Sequence, residues 1–268
     1  MSVVEIVGGG ADTAQKYSGR FGPSFPPILP RTMLLLAIDS ASPRVSVALG
    51  ELGADLRLLA TRDEVVERSS TRLLQLIREV LEEAGKKPQD LEGLLALSGP
   101  GSFTGLRIGL STAFGFHQAL GIPAAALPTL RVLAAIPPFS PLPLGEGPGV
   151  RALGAVDALR GEWTVQPFQG GAAPAELGPS ETLAPADFAK FAPGVVVGFG
   201  ISAMASRPDW PAGLVAIEPG PLAPVALRLA LAEPPRWDPL ALTRPLYARP
   251  PAATLPRPRA GTTRDSAG

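Results

Sequence analysis

The spacing of apolar residues changes several times along this chain, and each change marks an element. Leu34 to Ile38 form an unbroken apolar run that ends at Asp39. Ser40, Ala41, Ser42 and Pro43 follow as a turn, and Arg44-Val45-Ser46-Val47-Ala48 then alternates as a strand does, so 33–51 reads as a β-hairpin. Residues 56–66 offer a weaker third strand. Over 69–85 the period becomes helical: Leu73, Leu74, Ile77, Val80 and Leu81 make one stripe, Ser69 to Thr71 can cap the start, and Gly85 stops it. Residues 91–99 read as a strand buried on both faces. A tight glycine-rich loop leads from there into a second helix over 104–121, ended by Gly121 and Pro123. Pro and Gly crowd 134–150, which predicts a linker and a domain boundary. A second hairpin is expected over 151–168, a further strand over 195–199 with a helix near Ser202, and one more helix within 221–234.

The two hairpins echo each other. Asp39 and Asp157 each close an apolar strand and open a turn, and Val45-Ser46-Val47 and Trp163-Thr164-Val165 each begin the return strand, at the same offset of 118 residues. This weak internal repeat points to two related subdomains.

Composition narrows the chemistry. Lys and Arg total 24, as do Asp and Glu, so the 268 residues carry no basic surplus of the kind that grips nucleic-acid phosphates. There is no cysteine and one histidine, His117. Disulfides, thiol nucleophiles and Cys-ligated metal are excluded, and any His-based site rests on that single residue. No apolar run reaches the ~18 residues of a membrane span. The first residues lack a secretory pattern, so a cytoplasmic protein is expected. Residues 1–32, with a Gly triplet and many prolines, read as a flexible extension or a mis-called start, and 251–268 as a disordered tail.

The stretch SGPGSFTGLRIGLSTAFG (98–115) is a strand, a glycine turn and a helix start. Gly99 and Gly101 permit close backbone approach, and Ser102 and Thr104 are good helix caps. A helix start also attracts anions, so phosphate binding at Gly101 and Ser102 is one reading. The spacing is neither the GxGxxG fingerprint nor a P-loop. Helix packing ranks higher, because Gly105 and Gly109 lie four apart on one face and would admit another helix closely.

With those residues in view, GPGSFTGLRIGLSTA closely resembles the signature of the TsaB (YeaZ-type) family. LLLAIDSAS-PRVSVAL resembles that family's first strands, GAVDALRGEWTV its second hairpin, and Asp238-Pro239 through Tyr247-Ala248-Arg249 its closing segment. The resemblance runs in order from Met33 to about Arg249. It implies an α/β fold of two actin/hexokinase/Hsp70-like (ribonuclease H-like) subdomains, each a mixed sheet that begins with a β-hairpin and is flanked by helices. The subdomains would span 33–134 and 135–250, the last helix being free to return to the first. It further implies a non-catalytic subunit, acting with TsaD and TsaE in threonylcarbamoylation of the adenosine beside the anticodon (t6A). TsaD would pair with it, tRNA would be met only through the complex, and alone the chain would form a homodimer. No cofactor of its own is implied, with ATP and Mg²⁺ entering only at the complex. Pairing through helices 69–84 and 104–120 would use Leu73, Ile77, Val80, Leu81, Gly105, Ile108, Gly109 and Thr112. The chain departs from the family pattern at Ser69, Gln75 and Phe114, where the family often has His, Pro and Lys.

Two other functions compete. Asp39 and Asp157 sit where nucleotide-handling relatives of this fold place acidic residues near Mg²⁺, which would suit a kinase or ATPase. Against this, Pro43 in the first turn donates no N–H to a phosphate, and both aspartates suit turn caps. A peptidase would need Ser102 beside His117, but fifteen helical residues place them ~20 Å apart.

Overall fold

The computed structural model describes residues 32–65, 69–136 and 151–248. The first half forms a five-stranded sheet from β1 (Met33–Asp39), β2 (Arg44–Leu52), β3 (Leu56–Val65), β4 (Gly93–Gly99) and β5 (Ala124–Pro128), in the order β3-β2-β1-β4-β5. The β1–β2 and β2–β3 pairs are antiparallel, while β1–β4 and β4–β5 are parallel. All seven residues of β1 are buried, which is why its sequence is a continuous apolar run rather than an alternation. Leu34, Leu36 and Ile38 pack with α1 (Ser69–Glu83) and α2 (Phe103–Leu120) on one face. Leu35 and Ala37 belong to a separate core on the other. The half-exposed edge strand β3 is tied to α1 by ion pairs of Arg62 with Glu79 and Glu83 and of Arg72 with Glu64.

After β5, α3 (Thr129–Ala134) leads toward the second sheet. That sheet contains β6 (Arg151–Asp157), β7 (Trp163–Gln169), β8 (Ala175–Glu176), β9 (Glu181–Leu183), β10 (Gly194–Val197) and β11 (Leu214–Ile217). Its order is β11-β10-β6-β7-β8, with β9 also on β7. Read from its own first strand, the second sheet has the same order as the first, with an antiparallel hairpin followed by parallel strands. This duplicated mixed sheet is the α/β, actin/hexokinase/Hsp70-like architecture expected from the sequence.

Short α4 (Ile201–Ala205) lies between β10 and β11, and α5 (Ala223–Ala232) follows β11. The helices that follow the last strand of each sheet are exchanged between the sheets: α3 packs chiefly on β6, and α5 packs on β2, β1 and β3. Ser46, a polar residue in the middle of the first hairpin, is fully buried because its hydroxyl accepts the first N–H of α5 from Ala223 at 3.1 Å.

β5, α3 and β11 are among the elements not expected from the pattern. β5 is Ala124-Ala125-Ala126-Leu127-Pro128, too rich in alanine to signal a strand, and it is held by parallel pairing with β4. α3 has only six residues, and β11 has four. The hairpin echo also needs correction. Asp39 pairs with Ser46 across residues 40–45, whereas Asp157 pairs with Trp163 across 158–162, a turn one residue shorter. The faces differ too. Asp39 shares its strand parity with Leu35 and Ala37, in the core that includes α5. In β6 the residues facing α3 are Ala152, Gly154 and Val156, so Asp157 has the opposite parity. The two aspartates are therefore not structural equivalents, although their sequence offset suggested it. Residues 1–31, the linker over 137–150, and 249–268 lie outside the described residues.

Candidate functional site

A cleft of about 710 Å³ opens between the two hairpin turns. Ala41, Ser42 and Pro43 line it from the first turn, and Asp157 to Arg160 from the second. The loop at 100–103, Thr129, Phe199 and Tyr247 complete it. The lining is largely apolar and aromatic, of the size and character of a ligand or partner pocket.

The first turn is built inward. Asp39 has no exposed surface. Its Oδ1 accepts the N–H groups of Ala41 (2.8 Å) and Ser42 (3.2 Å), and its Oδ2 lies 2.5 Å from Ser42 Oγ. Burial pushes the carboxyl from 3.8 up to about 6, against the opposing effect of those hydrogen bonds. Two N–H groups of the kind that cradle a phosphate are thus spent on Asp39, and Pro43 has none. The N–H of Ser102 goes to Ala41 O at 2.7 Å, and the Ser102 hydroxyl caps α2 by accepting from Gly105 N at 3.2 Å.

The small face of α2 is used here as well. Ser40 Oγ donates to Gly105 O at 2.7 Å. A Cβ added at Gly105 would lie 1.9 Å from Ser40 O, at Gly101 2.3 Å from Ala41 O, and at Gly109 2.3 Å from Ser40 Oγ. The glycines expected to admit a partner helix instead seat α2 on the chain's own first turn. The apolar stripe is corrected likewise. Leu73, Ile77, Val80 and Leu81 are all buried in the core shared with β1, because the sheet beneath α1 is wide enough to cover them. Of the eight positions expected at an interface, Ile108 and Thr112 are the two that retain partial exposure. Leu74, on the same helix as the stripe, is 57% exposed.

The second turn is built outward. Asp157 is exposed, and its Oδ1 accepts from Leu159 N at 2.7 Å. Leu159 and Arg160 follow with φ of 65° and 59°, the left-handed region that bulky residues avoid, and Leu159 is 70% exposed. Gly101 and Ser102 lie on the opposite wall of the cleft from this turn's residues. The structure thus brings Gly101, Ser102 and Asp157 to one cleft and keeps the Asp39 carboxyl turned into its own turn.

Several lining residues escaped the sequence reading. Phe103 and Tyr247 have ring centroids 5.0 Å apart, Arg107 stacks 4.0 Å over Phe103, and Arg107 Nε donates to Tyr247 Oη at 3.2 Å. The closing segment is fixed by Leu246 N donating to Ser98 O at 2.7 Å. It passes so close that a Cβ on Gly99 would lie 2.1 Å from Leu246 O. Tyr247 could have been found from the family-like closing segment. Nothing in local periodicity marks Phe103, Phe199 or Leu159. His117 is buried, with Nδ1 2.6 Å from Ile122 O at the end of α2. Among the described residues, no three His, Cys, Asp or Glu side chains cluster as metal ligands, and no helix is long and apolar enough to cross a membrane.

Comparison with known proteins places the chain. Residues 63–168 match the family model described as TsaD: tRNA N6-adenosine threonylcarbamoyltransferase. The TsaB protein of Bacillus subtilis, named for tRNA threonylcarbamoyladenosine biosynthesis, is 33% identical over 103 residues, 38% of this chain and 44% of that protein. The chain thus spans less than half the length of that relative. An uncharacterized protein of Mycobacterium tuberculosis is 34% identical over 218 residues, covering 75% of this chain and 94% of that one. YeaZ from Pseudomonas aeruginosa superposes with a TM-score of 0.56 at 28% identity, over 74% of this chain and 90% of that structure. The chain belongs to the TsaB/YeaZ family. The family-model match in this TsaB/YeaZ chain runs from the end of β3 through α1 and α2 to the second hairpin, so it includes the second turn of the cleft and begins after the first.

Proposed function

We propose that this TsaB/YeaZ chain is a non-catalytic scaffold subunit in t6A modification of tRNA, pairing with TsaD and working with TsaE. The observation that carries the reading is the family match across 63–168, which covers both helices expected to meet a partner. The inward-built first turn supports a scaffold over the competing kinase or ATPase. Asp39 and its neighbouring N–H groups satisfy each other, which leaves a phosphate or Mg²⁺ few ligands there. His117 is engaged at the end of α2, as a structural rather than a catalytic histidine would be. In this reading ATP and Mg²⁺ act only at the level of the complex, and tRNA is met through the partner.

The face offered to TsaD is the outer side of α1 and α2, through exposed and half-exposed residues such as Leu74, Ile108 and Thr112. In the absence of TsaD the same face pairs with a second copy of the chain. Size-exclusion chromatography with light scattering, on the chain alone and mixed with TsaD from the same organism, tests this. A heterodimer that displaces a homodimer is expected, and Leu74→Glu should abolish both while leaving the unfolding midpoint within a few degrees of wild type. No complex, with ATP and TsaE present, overturns the reading. Gly109 is not a useful probe of the partner, because its replacement strikes Ser40.

A further inference from the structure

The scaffold reading leaves a buried carboxyl unexplained, and the hydrogen-bond arithmetic around it is informative. Ser42 Oγ lies 2.5 Å from Asp39 Oδ2 and 2.7 Å from Arg44 O. A hydroxyl has one proton to give. If Asp39 is ionised, that proton serves only one of the two acceptors. The other contact then holds two oxygens together with no hydrogen between them. A carboxylic acid removes the conflict. Its Oδ2–H donates to Ser42 Oγ, and Ser42 Oγ–H donates to Arg44 O. Oδ1 continues to accept the N–H groups of Ala41 and Ser42. Each of these contacts then has a hydrogen of its own.

We propose that Asp39 takes up a proton in the folded chain, and that the resulting Asp39–Ser42–Arg44 relay latches the turn beneath α2. Asp39 is then a proton-linked positioning residue for the partner-facing helix. The link to α2 is direct. Ala41 accepts the N–H of Ser102, Ser40 donates to Gly105, and the close contacts at Gly101, Gly105 and Gly109 leave α2 no slack against the turn. When the proton leaves, Ser42 turns its hydrogen to the carboxylate and the contact with Arg44 O opens.

The charged groups of the surrounding elements do not substitute for the proton. Arg44, on β2, has its guanidinium on Asp63. Arg107, on α2, lies over Phe103. Asp157 and Arg160 line the cleft from the second turn. The groups acting on Asp39 are burial first, then the Ser42 side chain and the N–H groups of Ala41 and Ser42, and no charged side chain is among them. Burial alone disfavours the carboxylate, in the same direction as the hydrogen-bond arithmetic. The partner-facing role of α2 rests on the scaffold reading, while the protonation and the latch do not.

The test is an NMR titration of the isolated full chain. The Asp39 carboxyl carbon should titrate near 6, well above the ordinary 3.8. The amide resonances of Ser102 and Gly105 should move with the same midpoint. In Asp39→Asn, whose amide can donate to Ser42 Oγ as the acid does, those two amides should no longer titrate. A carboxyl midpoint at or below 3.8 overturns the proposal, as do α2 amides that ignore the titration or that titrate unchanged in Asp39→Asn. The wild-type titration needs no variant to fold. None of these readings involves TsaD, so a failure of the scaffold reading shows separately, in the chromatography.

Discussion

The turn after β1 and the turn after β6 open sheets of the same strand order, yet they leave their aspartates in opposite surroundings. Asp39 has no exposed surface, and its turn is pressed between β1 and the start of α2. Asp157 is exposed, and its turn projects Leu159 and Arg160 over the cleft in left-handed backbone. The difference follows from what each turn touches. The first is the seat of a long helix, and serine, alanine and glycine are the residues that let two backbones meet. Among the described residues the second has no such helix against it: α4, with five residues, lies after β10. A duplicated fold has thus kept its strand order in both halves while the turn in only one half became structural.

The largest effect expected from breaking this comparison is at Gly105. A methyl group there would sit 1.9 Å from Ser40 O, a backbone atom that cannot rotate away. Gly105→Ala should cost on the order of 3 kcal/mol or leave the chain unfolded. Gly115→Ala, on the same helix with nothing within 4 Å of the added carbon, should instead stabilise by about 0.5–1 kcal/mol. Urea unfolding of the two variants measures the contrast. A Gly105→Ala variant as stable as wild type would show that the first turn is not a rigid seat.

How much of this was legible in the sequence depends on the range of the cause. The first hairpin, α1, β4 and α2 are announced by local periodicity and by caps such as Ser102 and Gly121. β5 and β11 are not, because Ala124–Pro128 and Leu214–Ile217 become strands only through parallel partners far away in the chain. The glycine block was recognisable, and a packing role for it was readable from the four-residue spacing. What it packs against was not, since Ser40 lies 65 residues before Gly105. The stripe Leu73, Ile77, Val80 and Leu81 looked wide enough to serve a partner as well as a sheet, and only the extent of the sheet decides that it serves the sheet. The equivalence of Asp39 and Asp157 failed for a local reason. In β6 the positions that face α3 are Ala152, Gly154 and Val156, so the aspartate that ends the strand falls on the other face.

A smaller effect separates the two turns by pH. The folded Asp39 has its pKa raised to about 6 from 3.8, so between those values the native chain binds more proton than the unfolded one. The stability that this group contributes is therefore fully present below the lower value and is lost as pH rises through the upper one. Between pH 4 and 7.5 the loss is about 2 kcal/mol. Unfolding free energies measured from pH 4 to 7.5 should show this decline in wild type, and Asp39→Asn should flatten it. An unchanged slope in Asp39→Asn would mean that other groups set it, and that the first turn is no more pH-sensitive than the second.

The smallest effect tests the second turn from the opposite side. Leu159 has φ of 65° and is 70% exposed, so it bears the cost of left-handed backbone without the return of burial. That cost is roughly 1 kcal/mol for a non-glycine residue, and asparagine bears it more readily. Leu159→Asn should thus raise stability by about 1 kcal/mol while keeping the bond from residue 159 N to Asp157 Oδ1, which needs only the backbone. A variant less stable than wild type would mean that the leucine packs where the contrast between the turns says it is free. A gain in stability that comes with weaker TsaD binding would be more informative. It would mean that the strained backbone and the exposed leucine are retained for contact across the cleft, and that the outward turn is as functional as the inward one is structural.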